Sequence, residues 1–355
     1  MRLLLIVLML FCAGPALAQA VTPAQVLAAA VNQVIRPGVA AFKNRANGLE
    51  SAMGGLCATP SDRALGIARQ QFGLTAQAYG RIEFLRIGPL MEDNRADRLL
   101  FWPDRRGIGL RQVQAILAEE DASAIEVLSL REKTVAVQGL GALEFVLFGT
   151  DAEGLSVPDG GFRCRYGQAI AANISGIADQ VAMGWYRYDG VASHLTRPVP
   201  ENADYRSETE ALEALVGLLA HGLEGLRDTR INPFIAQGDA TANPKQALFW
   251  RSGLTMAMIA ANIEGMEALV AGSDLALAVE AEHAGLDNSI AFEFGNARRA
   301  IGLVALPLEQ AVADEKQALA FDYLVIVTQS LQGLIGEQLS AALGLSVGFS
   351  SLDGD

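Results

Sequence analysis

Histidine occurs only three times in the 355 residues, at His194, His221 and His283, and none of the three belongs to an H-E-x-x-H pattern. That arrangement needs two imidazoles one helical turn apart, so a zinc protease of that type is excluded. No G-x-S-x-G is present, which removes the serine elbow of the α/β hydrolases, and glycine-rich phosphate loops are absent as well. Cysteine is equally scarce. Cys12, Cys57 and Cys164 are the full set, without a C-x-x-C for dithiol redox chemistry. Cationic charge is in deficit: 27 Lys and Arg against 40 Asp and Glu give a formal charge of −13, which argues against sequence-independent binding to nucleic acid or to anionic lipid. Beyond the first 18 residues no stretch offers about 18 uninterrupted apolar residues, so no further membrane span is expected.

What is present is apolar and helical in pattern. Hydrophobic residues make up 51% of the chain, enough for two domains with their own cores. Residues 1–18 read as a cleaved signal peptide, with Arg2 as the charged region, Leu3–Cys12 as the apolar core and Ala16-Leu17-Ala18 as the cleavage site. The mature chain is expected to begin near Gln19 and to be periplasmic. Lipid attachment at Cys12 is disfavoured, because bulky Phe11 stands where such sites want a small residue. Export leaves Cys57 and Cys164 in an oxidising compartment, and a disulfide between them is expected. Closing so long a loop stabilises by up to about 4–5 kcal/mol in the chain-entropy model.

Thr22-Pro23 reads as a helix start, with Val26, Leu27, Ala30, Val31, Val34 and Ile35 on one stripe and a break or kink at Pro37-Gly38. Thr59-Pro60-Ser61-Asp62 reads as a capping box opening a helix through Ile67, Phe72 and Tyr79 to about Leu85. Segments 111–130, 131–148 and one from Cys164 past Trp185 complete a first four-helix set. Arg197–Asn202, proline-rich and polar, is the expected linker. The second half is patterned in the same way. Leu212, Leu215, Leu219, Leu223 and Leu226 fall on one helix, a helix capped by Asn243-Pro244 holds Leu248, Met256, Ile259, Ile263 and Met266, and two more lie near 288–306 and 308–343. The expectation is an all-α protein of two four-helix-bundle-like domains related by duplication, 19–200 and 201–345, with a tail at 346–355.

The segment Gln138–Gly149, QGLGALEFVLFG, carries one carboxylate in an apolar run. On a helix, Val137, Gly141, Glu144 and Phe148 share a face, and Leu140, Leu143 and Leu147 fill the next. Glu144 is therefore expected to be buried, and an ionised carboxylate there must be paired, metal-bound or protonated. Two readings stand beside each other: a structural carboxylate held by an arginine, and a functional group in a cleft between the bundles. Met91–Gly109 is the longest irregular stretch and concentrates arginine at Arg95, Arg98, Arg105 and Arg106, flanked by Arg86 and Arg111. These either pair with Glu92, Asp93, Asp97 and Asp104, or line an anion-binding cleft, or neutralise Glu144. Arg86 or Arg111 is the expected partner of Glu144, because guanidinium geometry suits a buried carboxylate.

The same residues resemble the imelysin-like proteins, exported bacterial proteins associated with iron uptake. Gly139 and Glu144 match the glycine and glutamate of the family's G-x-H-x-x-E, and Gly141 stands where its histidine would be. Arg86-Ile87-Gly88-Pro89, Trp102-Pro103-Asp104, Arg111-Gln112 and the closing Gly348–Asp355 extend the resemblance over most of the mature chain. It implies helical bundles, a duplication, a site around Glu144, Gly139, Gly141, Arg86, Trp102, Asp104 and Arg111, and envelope iron-uptake components as partners. It also implies iron or another divalent metal as cofactor, with none expected at Glu144 alone, since Gly141 removes a ligand. The leading expectation is a non-catalytic binding component; a metal-dependent peptidase and an envelope interaction module are the alternatives. His221 and Glu224, in an H-x-x-E that shares a helix face with Gly217 and Asp228, are weak metal candidates needing Glu264 or Glu267 as further ligands.

Overall fold

A computed structural model of the protein describes residues 21–158, 161–238 and 240–346. The expected leader and the closing motif from Gly348 lie outside these residues. The described residues form helices and no strand, with a lone bridge between Gln237 and Ala240.

Thr22 and Gln25 exchange side-chain and backbone hydrogen bonds, a capping box that starts α1 (Pro23–Ala29). The expected break at Pro37 does not occur. A widened π turn, Ala30–Ile35, in which the Arg36 amide donates to the Val31 carbonyl, carries the chain directly into α2 (Arg36–Ala58) and leaves Pro37 in the first turn of that helix, where proline is tolerated. Ser61 caps α3 (Asp62–Gly80) by accepting from the Ala64 amide; α3 ends five residues earlier than the pattern predicts, and Ile67 faces solvent. After α4 (Arg95–Leu99) the segments expected as two long helices divide into α5 (Ile108–Glu119), α6 (Val127–Arg131) and α7 (Leu140–Phe148). Local polar bonds cause the division: Glu120 turns left-handed at φ 49°, and Asp121 accepts from Ser123 and from Lys133 at 2.6 Å, bonds that compete with continuation of the helix. α8 (Gly161–Tyr186) follows, then short α9 (Val191–Thr196).

In the second half, Ser207 caps α10 (Glu208–Leu226), which buries all five expected leucines. Asn243 caps only a short 3₁₀ turn, so Leu248 lies in a loop ahead of α11 (Thr255–Gly272). α12 (Gly285–Leu303), α13 (Leu308–Ala311), α14 (Glu315–Gly333) and, beyond another π turn, α15 (Ser340–Ala342) finish the chain.

α2 packs along α3 and α8, with α7 laid across them; α14 packs on α10 and α12, and α11 on α12. The two sets meet where α3 crosses α11 and α1 touches α10. The close crossing depends on Gly265, whose place at the Arg81 carbonyl leaves no room for a Cβ. The disulfide Cys57–Cys164 is formed, joining the end of α2 to the start of α8 with Cα atoms 5.6 Å apart.

One buried ion pair ties the sets together. Glu83, just past α3, meets Arg230, in the turn after α10, and its other oxygen accepts from Asn262 on α11 at 3.1 Å. Glu83 and Arg230 are each 7% exposed. Glu83→Ala removes the countercharge from a buried guanidinium and is expected to lower stability by about 3–5 kcal/mol in a denaturant melt, whereas Glu92→Ala, at an exposed pair, changes it by less than about 1 kcal/mol.

Candidate functional site

α7 is only nine residues long and apolar almost throughout, so its termini need partners from elsewhere. Gly139 precedes its first turn against the Arg98 and Leu99 carbonyls, where any side chain would collide. Beneath that turn, buried Asn173 donates to the Gln138 carbonyl, Gln138 donates to the Lys133 carbonyl, and Tyr166 donates to the Val137 carbonyl at 2.6 Å. At the other end Arg163 donates to the Phe145, Val146 and Thr150 carbonyls at 2.6–2.9 Å, and Arg69 donates to that of Leu147 at 2.8 Å. Two guanidinium groups thus complete the C-terminal end of the helix, where carbonyls and dipole both favour cations.

Glu144, midway along α7, is 4% exposed. Its partner is not Arg86 or Arg111. Oε1 accepts from the Ser252 amide at 3.0 Å and from the Ser252 hydroxyl at 2.9 Å, while Oε2 lies 4.0 Å from Arg251 Nη1. Arg86 is exposed on the turn after α3, and the Arg111 guanidinium folds back on the Arg106 carbonyl at 2.7 Å, so neither reaches the carboxylate. Ser252 is aimed by the loop between Ala247 and Leu254. Phe249 adopts φ 58° and Gly253 φ 70°, and Thr255 donates to the Leu248 carbonyl at 2.7 Å. The Ser252 hydroxyl also lies 3.1 Å from the Phe249 carbonyl. It has one proton, so it can donate to only one of these two oxygens at a time. Burial pushes the Glu144 carboxyl above its ordinary value, with the two Ser252 bonds and the Arg251 charge pulling it back. Burial likewise lowers Arg251, and Glu144 opposes that shift.

Around this pair lies a cleft of about 610 Å³. One wall comes from the first half, with Trp102, Asp104, Leu110, Gly141 and Glu144; the other comes from the second half, with Asp228, Asn232, Lys245, Trp250 and Arg251. Trp102 follows the loop's irregular path to donate its indole N–H to the Thr229 carbonyl at 2.9 Å, bridging the walls. Asp104 accepts from the amides of Ile108, Gly109 and Leu110, capping α5. Asp228 pairs with Arg227 and accepts from Asn232. Gly141 opens onto the cleft with nothing within 4 Å of a Cβ built there. Of the residues singled out from sequence, the cleft brings together Trp102, Asp104, Arg105, Gly141 and Glu144; Gly139 serves helix packing, and Arg86 and Arg111 lie off the lining. Arg95 and Arg98 hold structure, Arg95 through Glu92, Asp93 and the Pro89 carbonyl and Arg98 through the Arg131 carbonyl. The second wall is not anticipated by the sequence pattern. Its available signal is Trp250-Arg251-Ser252-Gly253, an aromatic, a cation and a hydroxyl before a turn glycine, masked by the expectation of helix through Leu248.

Among the described residues no three or more His, Cys, Asp or Glu side chains are placed to hold a metal ion. His221 is exposed and Glu224 buried on α10, while Glu264 pairs with Arg81 at 2.5 Å and Glu267 with Arg298. The donor set at Glu144 does not fit a resident metal either: Gly141 offers no ligand, and Asp104 gives both oxygens to amides.

The all-helical architecture of the described residues agrees with the similarity to known proteins. This chain belongs to the imelysin family, peptidase M75, whose model matches residues 35–335. It is similar to the crystal structure of an imelysin-like protein from Psychrobacter arcticum, with a TM-score of 0.75 and 18% identity over 92% of this chain and 97% of that one. It is also similar to the crystal structure of a putative iron-regulated protein A precursor from Parabacteroides distasonis, with a TM-score of 0.69 and 14% identity over 88% of this chain and 95% of that one. No curated protein matches the chain.

The raised carboxyl of Glu144 has a signed consequence. A folded-state pKa above the unfolded one means that the fold prefers the protonated group, so its contribution is fully present below about 4.5 and is lost as pH rises through the folded value. Glu144→Gln should therefore gain stability relative to the wild type as pH is raised across that window, in denaturant melts at a series of pH values. Glu144→Ala, which leaves the Ser252 amide without its acceptor, is expected to cost about 1–3 kcal/mol at neutral pH. A pH-independent difference between Gln and wild type would show that Glu144 titrates as it does in water.

Proposed function

We propose that this protein is an exported, periplasmic, non-catalytic binding component of iron or metal acquisition, with the cleft beside Glu144 as its ligand site. One observation carries the reading: a concave space of about 610 Å³ lies between the two helical sets, of the size that small-molecule sites take, and its carboxylates already accept hydrogen bonds from the protein. Export is supported by the leader pattern in residues 1–18 and by the Cys57–Cys164 bond, which belongs to an oxidising compartment. The iron connection rests on the family and on the name carried by the Parabacteroides relative. Envelope iron-uptake components are the proposed partners. The family name favours a second reading, a metal-dependent peptidase. Such a reaction needs a metal with an open position, and a glycine at the motif histidine together with a glutamate engaged by Ser252 supplies neither ligand nor free base.

Metal analysis of the purified protein, run beside a peptidase assay, decides between the two readings. The expected result is no stoichiometric iron or zinc at Glu144 and no peptidase activity; one equivalent of metal lost on Glu144→Gln would overturn the binding-only reading. Gly141→His places an imidazole three residues before Glu144 in open space, and it is expected to raise zinc affinity at least about tenfold over the wild type while also removing a helical glycine worth about 0.5–1 kcal/mol.

A further inference from the structure

The cleft's charged groups divide sharply by what they already hold. Each carboxylate that lines it is engaged: Asp104 by three amides, Asp228 by Arg227 and Asn232, and Glu144 by Ser252. The cations are not. Among the described residues Arg105 has no hydrogen bond or ion pair, and the Lys245 ammonium has only the Trp250 ring, 5.7 Å away. The Arg251 guanidinium donates no hydrogen bond; it lies 4.5 Å from the Trp250 ring centroid and 5.5 Å from that of Phe145, with the Glu144 carboxylate at the 4.0 Å limit. Ring contacts hold Lys245 and Arg251, and apart from the Glu144 carboxylate 4.0 Å from Arg251 no polar group of the described residues takes up the side-chain N–H groups of the three cations. In a chain of net charge −13 the cleft therefore offers donors and positive charge that remain unused. Between them lie apolar side chains, from Phe101, Trp102, Leu110 and Val113 on the first wall to Leu248 on the second.

Resting on the reading of the cleft as the ligand site, we propose that its ligand is an organic anion with a ring-bearing apolar body, the acidic group received by Arg251 and Lys245 and the ring laid against the Trp102 wall. A bare metal cation is the wrong charge for the donors left over. Iron reaches this cleft, on this proposal, as the complex of such an anion. Arg251 is the specificity-determining contact, since its planar fork matches a carboxylate or a paired phenolate, and Trp250 fixes its orientation.

Quenching of tryptophan fluorescence tests this directly, because Trp102 and Trp250 both line the cleft whereas Trp185 is fully buried in α8. The probes are 2,3-dihydroxybenzoate, its ferric complex, the neutral 2,3-dihydroxybenzamide, inorganic phosphate, citrate, and zinc and ferrous salts. Saturable binding of dihydroxybenzoate or its ferric complex is expected, at least about tenfold tighter than the amide, phosphate or citrate, with a loss of about tenfold or more in Arg251→Gln. Lys245→Gln, at an exposed position where folding is not in question, should weaken binding severalfold, and Gly141→Trp, which fills the cleft, should abolish it. Equal binding of the amide, or no loss in either charge variant, overturns the anion. Binding of citrate as tight as that of dihydroxybenzoate overturns the ring. Metal salts that bind where the aromatic anions do not, and are blocked by Gly141→Trp, overturn the ligand class and leave the cleft as the site; no binding of any probe overturns both.

Discussion

The buried carboxylate of Glu83 is the constraint on which the arrangement rests. It belongs to the first helical set, and every group that satisfies it within the interface, Arg230 and Asn262, belongs to the second. An unpaired charge at that depth would cost several kcal/mol, so the two sets are held in one register rather than merely packed. Tyr79, fully buried beside it, has its phenol pushed above the usual range by burial and then by the Glu83 charge, and so stays neutral. Asn262 also donates to the Gly80 carbonyl at 2.8 Å, and Gly265 allows the Arg81 backbone to touch α11. Because this junction is fixed, the Trp102 loop and the Trp250 loop face each other at a set distance, and the cleft exists.

Glu144 repeats the same device at the cleft with a different balance. Glu83 has a full countercharge in contact, whereas Glu144 has two hydrogen bonds from one serine and a guanidinium at the edge of reach. Its proton affinity is therefore raised by burial, with the Ser252 bonds and the Arg251 charge opposing the shift. Its acceptor capacity is partly committed within the protein, since Oε1 already takes both Ser252 bonds.

Much of the fold is legible in the sequence, and the reasons are local. The leucine ladder of α10, the Thr22 cap and the Ser61 and Ser207 caps are encoded within a few residues of where they act. Glu144 is legible as buried for the same reason: a lone carboxylate among Leu140, Leu143 and Leu147 has no solvent face. Its partner is not, since Ser252 is 108 residues away and is presented by a left-handed Phe249, a backbone state that sequence disfavours. Arginine-rich composition is a partial guide: Arg105 lines the cleft, but Arg95 and Arg98 are absorbed by nearby carboxylates and carbonyls, and the arginines that build α7, Arg69 and Arg163, sit inside ordinary helical patterns. The Pro37 break fails because a π turn precedes α2 and leaves Pro37 in its first turn, where proline is tolerated, and no periodicity reveals that.

The disulfide has a further consequence for motion. Its ring runs from the end of α2 to the start of α8 and encloses α3, the Trp102 loop and the whole of α7, which is the entire first wall of the cleft. The second wall, 228–251, lies outside the ring. Transient opening of the first wall therefore happens with its ends clasped, so its backbone amides should sample fewer exchange-competent states than those of the opposing loop. The cleft has one covalently restrained jaw and one held only by non-covalent bonds, so the wider backbone excursions fall to the second.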